Sequence, residues 1–125
     1  MKNNPESFIK EYSDALASQD FNNIIPLINR ETCVTFSNGA VHKGMMAIAE
    51  AYRRNFSIIK GEEYSISDVH WIHVQDDVAV YLFKFSWKGI IDGQPTGGSG
   101  RGTATIKFDE SKWKLVAEHL GPGGA

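Results

Sequence analysis

The chain has 125 residues, a formal net charge of −2 and a single cysteine, Cys33. This length suits one domain that buries roughly two-thirds of its unfolded surface. A slightly negative net charge argues against nucleic acid as a partner. A single cysteine excludes an internal disulfide, and no apolar stretch is long enough to cross a membrane. With no apolar leader in its first residues, the sequence predicts a cytoplasmic protein in which the Cys33 thiol is buried and structural.

The first part of the chain predicts helices. Asn4-Pro5-Glu6 is typical of a helix start, because Asn caps, Pro suits the first turn and Glu favours the positive end. Apolar side chains then recur at helical spacing from Phe8 to Leu16, which predicts one stripe facing a core. A second, short helix is expected at residues 21–29, with Pro26 ending or distorting it.

From residue 32 the apolar period becomes that of strands. Residues 33–36 and 40–42 predict a small hairpin, because Asn38-Gly39 between them supplies positive φ angles. A third helix is expected at residues 45–56, and its apolar stripe includes Tyr52. Four longer strands follow, at residues 64–74, 78–90, 100–108 and 113–119.

Two stretches of this second half need an interpretation of their own. Residues 93–102 are rich in glycine but lack the phosphate-loop signature, so we expect a flexible hairpin loop or a pocket rim. In the strand at 78–90, alternation places Tyr81, Phe83, Phe85 and Trp87 on one face, which we expect to lie under the helices. The other face is only half polar and indicates cover by a second subunit.

Helices followed by a run of antiparallel strands predict an α+β fold, with helices packed on one face of a curved sheet. Three stretches carry a resemblance to a known fold: residues 12–21, residues 36–44 with Ile48, and the Gly100-Arg101-Gly102-Thr103 run followed by residues 112–116 and Glu118-His119. Together with the element order, they resemble the NTF2-like cone fold, and specifically its SnoaL-like (DUF4440-type) branch. The ending also resembles the association domain of calmodulin-dependent kinase II.

The resemblance implies three helices on a curved, mainly antiparallel sheet, with a pocket between the helices and the sheet. Tyr12 matches the position where ketosteroid isomerases of this fold carry an oxyanion-hole tyrosine; the alternative is a tyrosine at the edge of the core. Where those isomerases hold their carboxylate base, this chain has Phe36, which cannot accept a proton. Ligand contacts in such a pocket would come from Phe36, Tyr52 and Trp87.

His119 ends the last predicted strand, and regular alternation places it on the face of Trp113, Leu115 and Ala117, with Glu118 on the opposite face. It is therefore a candidate general base or anion-binding group, with a structural histidine as the alternative.

Arg101 is a candidate partner for a ligand carboxylate. If its face, which is that of Thr103, is solvent or a dimer interface, Arg101 is structural instead. By alternation His70 and His73 lie on opposite faces of one strand, and His42 has no acid partner at ligand spacing. We therefore predict no metal site and no cofactor.

Three functions stay open. The chain is a small-molecule-binding domain, an isomerase, cyclase or dehydratase that uses His119 and Tyr12, or an assembly module like the kinase association domains. The missing carboxylate at Phe36 favours the first and third. Under each hypothesis we expect a homodimer through the sheet, because a sheet with two partly apolar faces needs cover on both.

Overall fold

The computed structural model describes residues 4–123, which form two α-helices, two 3-10 turns and a six-stranded sheet. In chain order these elements are helix α1 (Glu6–Ala17), the 3-10 turns Phe21–Asn23 and Ile25–Leu27, strands β1 (Ile28–Thr35) and β2 (Val41–Lys43), helix α2 (Met45–Ile58), and strands β3 (Lys60–Val74), β4 (Val78–Ile91), β5 (Gln94–Asp109) and β6 (Lys112–Pro122). No helix in this part of the chain has the length and apolar character needed to span a bilayer.

Helix α1 begins where the sequence predicts. The Asn4 side chain accepts a hydrogen bond from the Glu6 backbone N–H at 3.0 Å, which satisfies one donor of the first turn. The apolar stripe is buried, with Phe8 1% and Tyr12 0% exposed. The two rings stack on each other along this face of the helix, with centroids 5.4 Å apart.

The predicted second helix at residues 21–29 is wrong in type and length. The segment makes two 3-10 turns, and the chain is already in β1 at Ile28. Pro26 provides a reason, because it has no N–H to continue a helical hydrogen-bond ladder.

The sheet order is β2-β1-β6-β5-β4-β3, and every neighbouring pair is antiparallel except β1 and β6, which are parallel. The helical segments cover one face of this curved sheet, here called the inner face, and leave the other, the outer face, open. The predicted α+β architecture is therefore confirmed. Tyr81, Phe83 and Phe85 of β4 are buried on the inner face, while Lys84 and Ser86 are exposed on the outer face.

The Gly-rich residues 93–102 are not a loop, contrary to the sequence interpretation. Only Asp92 and Gly93 form the turn, with φ of 51° and 76°, and β5 begins directly after them. Gly100 and Gly102 lie on the inner face beneath the rings of Phe85 and Phe83, where a Cβ atom would collide with those rings. Glycine here lets the aromatic side chains of β4 lie across the backbone of β5.

Strand β6 contains a β-bulge that reverses the predicted side-chain directions at its end. Thr105 pairs with Ala117 and Ile106 with Leu115, so Val116 is an extra residue on β6. The strand also runs on to Pro122, beyond the predicted end at residue 119, and residues 124–125 lie outside the described residues.

A second pair of irregularities affects β3. Register shifts on either side of Trp71 leave His70 opposite Leu82 and His73 opposite Val80. Both partners belong to the outer face of β4, so the prediction that His70 and His73 lie on opposite faces is wrong.

Candidate functional site

A cavity of about 320 Å³ lies between α2 and the inner face of the sheet. This volume is at the lower end of the range for small-molecule sites. We call it the inner pocket, and its wall consists of Leu16, Phe36, Ser37, Asn38, Tyr52, Asn55, Phe56, Ile58, Ile59, Glu62, Tyr64, Phe85, Trp87, Ile91 and Leu120.

The wall is mainly aromatic and comes from two sides. On the helix side Tyr52 contacts Phe36 and Phe56, with ring centroids 5.5 Å and 6.0 Å apart. On the sheet side Tyr64 stacks on Phe85 at 6.3 Å. Three residues that the sequence analysis proposed as ligand contacts, Phe36, Tyr52 and Trp87, thus lie on this wall. Their contact with a ligand stays a prediction.

Tyr12 lies in the layer behind the wall. Its hydroxyl meets that of Tyr52 at 3.2 Å, and both rings are buried. Burial raises the pKa of Tyr12 well above its ordinary value, and the neighbouring Tyr52 and Glu118 raise it further. The pKa of Tyr52 is raised as well, first by burial and then by Glu118. Both phenols are therefore neutral hydrogen-bonding groups at any physiological pH.

His119 does not face the pocket, and the predicted side-chain direction at this position is wrong. The bulge at Val116 shifts the alternation by one residue, so His119 is exposed on the outer face, opposite Thr103. The prediction that His119 acts as a general base depended on a side chain that points to the inner face.

Glu118 occupies the inner position instead. It lies between Val34 of β1 and Ala104 of β5, is only 4% exposed, and its Oε2 atom has no hydrogen-bond partner among the described residues. Burial raises the pKa of Glu118 from 4.5 to about 8, so the carboxyl group is mostly protonated at neutral pH. When ionised, Glu118 also raises the pKa of Tyr64 and Tyr81, in each case after burial.

The remaining predicted residues lie elsewhere. Arg101 is exposed on the outer face opposite Lys84, outside the inner pocket, as in the structural alternative. His42 shares its rung of the sheet with Val34 and packs on Phe36 at 4.5 Å, and its Nε2 atom is buried without a partner among residues 4–123. In the same range no three His, Cys, Asp or Glu side chains come together as metal ligands.

Two acids that matter for the site escaped the sequence reasoning. The apolar run Leu115-Val116-Ala117 directly precedes Glu118, and this run is the only local sequence feature that suggests a buried position for the acid. No local sequence feature predicts the bulge that turns the Glu118 side chain inward. Glu62 lines the pocket close to the start of β3, before the aromatic alternation of that strand begins.

The aromatic side chains of the wall can bury the body of an organic molecule. Of the buried polar groups next to them, only Tyr52 lies on the wall; its hydroxyl meets that of Tyr12, and Glu118 is close to this pair but, like Tyr12, is not part of the wall. A carboxyl group that titrates near neutral pH can also donate or accept a proton.

The comparisons with known proteins agree with this architecture. A solved NTF2-like superfamily protein from Salmonella enterica serovar Typhimurium has a TM-score of 0.85 at 19% identity, over 95% of this chain and 88% of that one. A candidate aromatic ring hydroxylase from Novosphingobium aromaticivorans gives a TM-score of 0.86 at 12% identity, over 96% and 87%. A candidate calcium/calmodulin-dependent protein kinase II association domain from Xanthomonas campestris gives 0.81 at 15%, over 94% and 84%.

At these identities the structural likeness concerns the fold alone. The comparison with curated proteins gave no match. The family model for the SnoaL-like domain matches residues 6–122, from the start of α1 to the end of β6. The chain therefore belongs to the SnoaL-like domain family, within the NTF2-like fold.

Proposed function

We propose that this protein binds a small, largely apolar organic molecule in the inner pocket. The observation that carries the proposal is the composition of the wall, in which aromatic rings from α2 face aromatic rings from β3 and β4. Aromatic side chains bury a large apolar area, and the neutral hydroxyl pair behind Tyr52 offers a fixed orientation point. SnoaL-like family membership is consistent with such a role.

A ligand screen read by nuclear magnetic resonance tests the proposal. The panel holds small aromatic carboxylates, aromatic amines, polyketide-like aromatics and steroids. A binder should shift the indole N–H of Trp87, which lines the pocket, and leave that of Trp113 unmoved, because Trp113 is buried outside the wall. At about a hundred times its dissociation constant it should also stabilise the fold by roughly 2.7 kcal/mol.

Two variants of α2 locate the binding. Asn55→Trp fills the pocket from its wall, whereas Arg54→Trp adds the same ring on the exposed side of the same helix. Binding should be lost in the first and kept in the second. Binding that survives Asn55→Trp, or no shift of Trp87 with any compound at millimolar concentration, would contradict the proposal.

A second candidate function, proton transfer on the bound molecule, is favoured by one observation. Glu118 is a buried carboxyl with one unpartnered oxygen and a pKa of about 8, close to the tyrosine pair. Such a group can take up or release a proton at physiological pH, as an isomerase-type reaction requires. Because Glu118 is not on the pocket wall, this function requires a ligand whose reacting carbon reaches past Tyr52.

Exchange of ligand C–H for deuterium in D₂O measures this activity directly. With a binder from the screen, exchange should be lost in Glu118→Gln although binding remains. His119→Gln is the matched control on the adjacent residue, whose side chain points outward. Equal exchange in wild type and Glu118→Gln would exclude Glu118, and loss only in His119→Gln would restore His119 as the candidate base.

We also propose a homodimer through the outer face of the sheet. The helices leave this face open, and it carries Leu82 at 42% exposure beside the half-buried Val80. Apolar side chains near the centre of an open sheet face favour cover by a second copy. Size-exclusion chromatography with light scattering tests the state, and a monomer at micromolar concentration would contradict it.

A further inference from the structure

The charge of the inner pocket narrows the class of ligand. Glu62 is the only Lys, Arg, His, Asp or Glu side chain on its wall among the described residues. It is half-buried and has neither a hydrogen bond nor an ion pair to another described residue. Burial raises its pKa, because the pocket solvates the carboxylate less well than water does. The wall therefore presents an acid that the described part of the chain does not neutralise.

The aromatic rings have the same electrostatic preference. Tyr64 follows two residues after Glu62 on the inner side of β3, and it stacks on Phe85. Tyr52 and Phe56 come from the opposite side of the pocket. Because the face of an aromatic ring is negative, it attracts a cation that lies over it and gives no such advantage to an anion.

We propose, on the basis of the pocket function above, that the ligand is an organic cation: an ammonium or quaternary ammonium group on an apolar body. The positive group lies beside Glu62 and over the aromatic wall, and the apolar body extends toward Tyr52. A carboxylate ligand would meet Glu62 without any basic side chain on the wall to offset the repulsion. A neutral ligand would bury its body equally well but would leave the carboxylate without a counter-charge.

Three probes of nearly one shape separate these possibilities. Benzyltrimethylammonium is the cation, 2,2-dimethylpropylbenzene is its uncharged carbon isostere, and 3-phenylpropanoate is an anion of similar length. We expect the cation to bind about tenfold or more tightly than the isostere, measured from the Trp87 indole shift, and the anion to bind more weakly than both.

The role of Glu62 is tested with a matched pair of variants. Glu62→Gln removes the charge on the inner side of β3, while Glu63→Gln removes one from the next residue, which is exposed and points the other way. The cation-to-isostere ratio should fall several-fold in Glu62→Gln and stay at its wild-type value in Glu63→Gln.

The outcomes are distinguishable. If the isostere binds as tightly as the cation, the charge preference is wrong. If Glu62→Gln leaves the ratio unchanged, Glu62 is not the counter-charge. Either result overturns the inference while the binding function stands. If the anion binds best, the preference is reversed and the inference is overturned. If none of the probes shifts Trp87 at millimolar concentration and the wider screen is also silent, the pocket function is wrong together with the inference.

Discussion

Glu118 makes the stability of the fold depend on pH. Its pKa rises from 4.5 to about 8 on folding, because the carboxyl is buried among apolar and aromatic side chains. Between these values the folded state holds a proton that the unfolded state has released. The stabilisation is complete below about pH 4.5 and is lost as the pH rises through 8.

We predict that the free energy of unfolding decreases by on the order of 4 kcal/mol between pH 5 and pH 8 through this group alone. Urea unfolding at unit steps of pH measures the slope. Glu118→Gln, neutral at every pH, should remove most of it and should be more stable than wild type at pH 8. The exposed Glu63→Gln should keep the wild-type slope. An unchanged slope in Glu118→Gln would show that the carboxyl is solvated in the folded protein.

The Tyr12–Tyr52 hydroxyl pair allows a second prediction at this scale. Tyr12→Phe leaves the buried Tyr52 hydroxyl without its partner at 3.2 Å and should cost about 1 kcal/mol of unfolding free energy. Because each single variant already breaks the bond, the double variant with Tyr52→Phe should cost less than the sum of the two. Chemical denaturation of the four proteins gives the coupling, and additive costs would contradict a bond between the hydroxyls.

The sequence predicts residue positions well where the periodicity is unbroken. Tyr12 and Tyr52 belong to the apolar stripes of helices and Trp87 to a regular strand. As predicted, the two tyrosines are buried, and Trp87 is half-buried. Glu118 and His119 come after a bulge, where alternation gives the reversed answer. The bulge depends on pairing with β5, which is distant in sequence, so local pattern cannot specify it.

At the scale of elements, Thr32 joins β1 to β6 at the irregular start of their parallel pairing. Its buried hydroxyl lies 2.6 Å from the Leu115 carbonyl oxygen, to which it donates, and accepts from the Asn29 N–H at 2.9 Å. The register of β1 and β6 shifts between Ile28 and Cys33, and Thr32 lies within that interval. One hydroxyl group thus replaces ladder hydrogen bonds that the shift interrupts.

We predict that Thr32→Val destabilises the fold by about 2 kcal/mol, because the shape is kept while the buried Leu115 carbonyl and the part-buried Asn29 N–H lose their partner. Thr35→Val on the same strand is the control, since the described structure gives its side chain no hydrogen bond. Urea denaturation of both variants compares them. Equal costs for the two would mean that the Thr32 hydroxyl does not hold this junction.

Elements were predictable to different degrees. Helices α1 and α2 have strong apolar stripes and clear starts, and both begin within a residue or so of the predicted position. The first part of β5, residues 94–99, was missed because the glycines of residues 93–102 have low strand propensity. Gly100 and Gly102 are compatible with a strand here because the rings of Phe85 and Phe83 occupy the space of their absent side chains.

At the scale of the whole molecule, the order of helices and strands was enough to indicate the architecture, but the sheet order was not visible. The parallel contact of β1 with β6 joins residues more than eighty positions apart, such as Thr32 and Leu115. Local periodicity carries no information on such pairing.

The proposed dimer through the outer face of the sheet can be tested with a charge at its centre. Leu82 lies on β4 between Thr103 of β5 and His70 of β3, so a charge there would be central in an interface through this face. Leu82→Lys should shift the protein toward monomer in sedimentation velocity. Met46→Lys adds the same charge to an exposed apolar site on α2 and should leave the distribution unchanged. A dimer that persists in Leu82→Lys would mean that another surface forms it.

The extra residue in β6 has a consequence for how such proteins diverge. Val116 decides which of two adjacent titratable groups, Glu118 or His119, is enclosed by the fold. In a relative of equal length with a regular last strand, the same Glu-His pair would enclose the imidazole and leave the carboxylate outside. Evolution can therefore exchange an interior acid for an interior base by losing one bulge, without altering either residue.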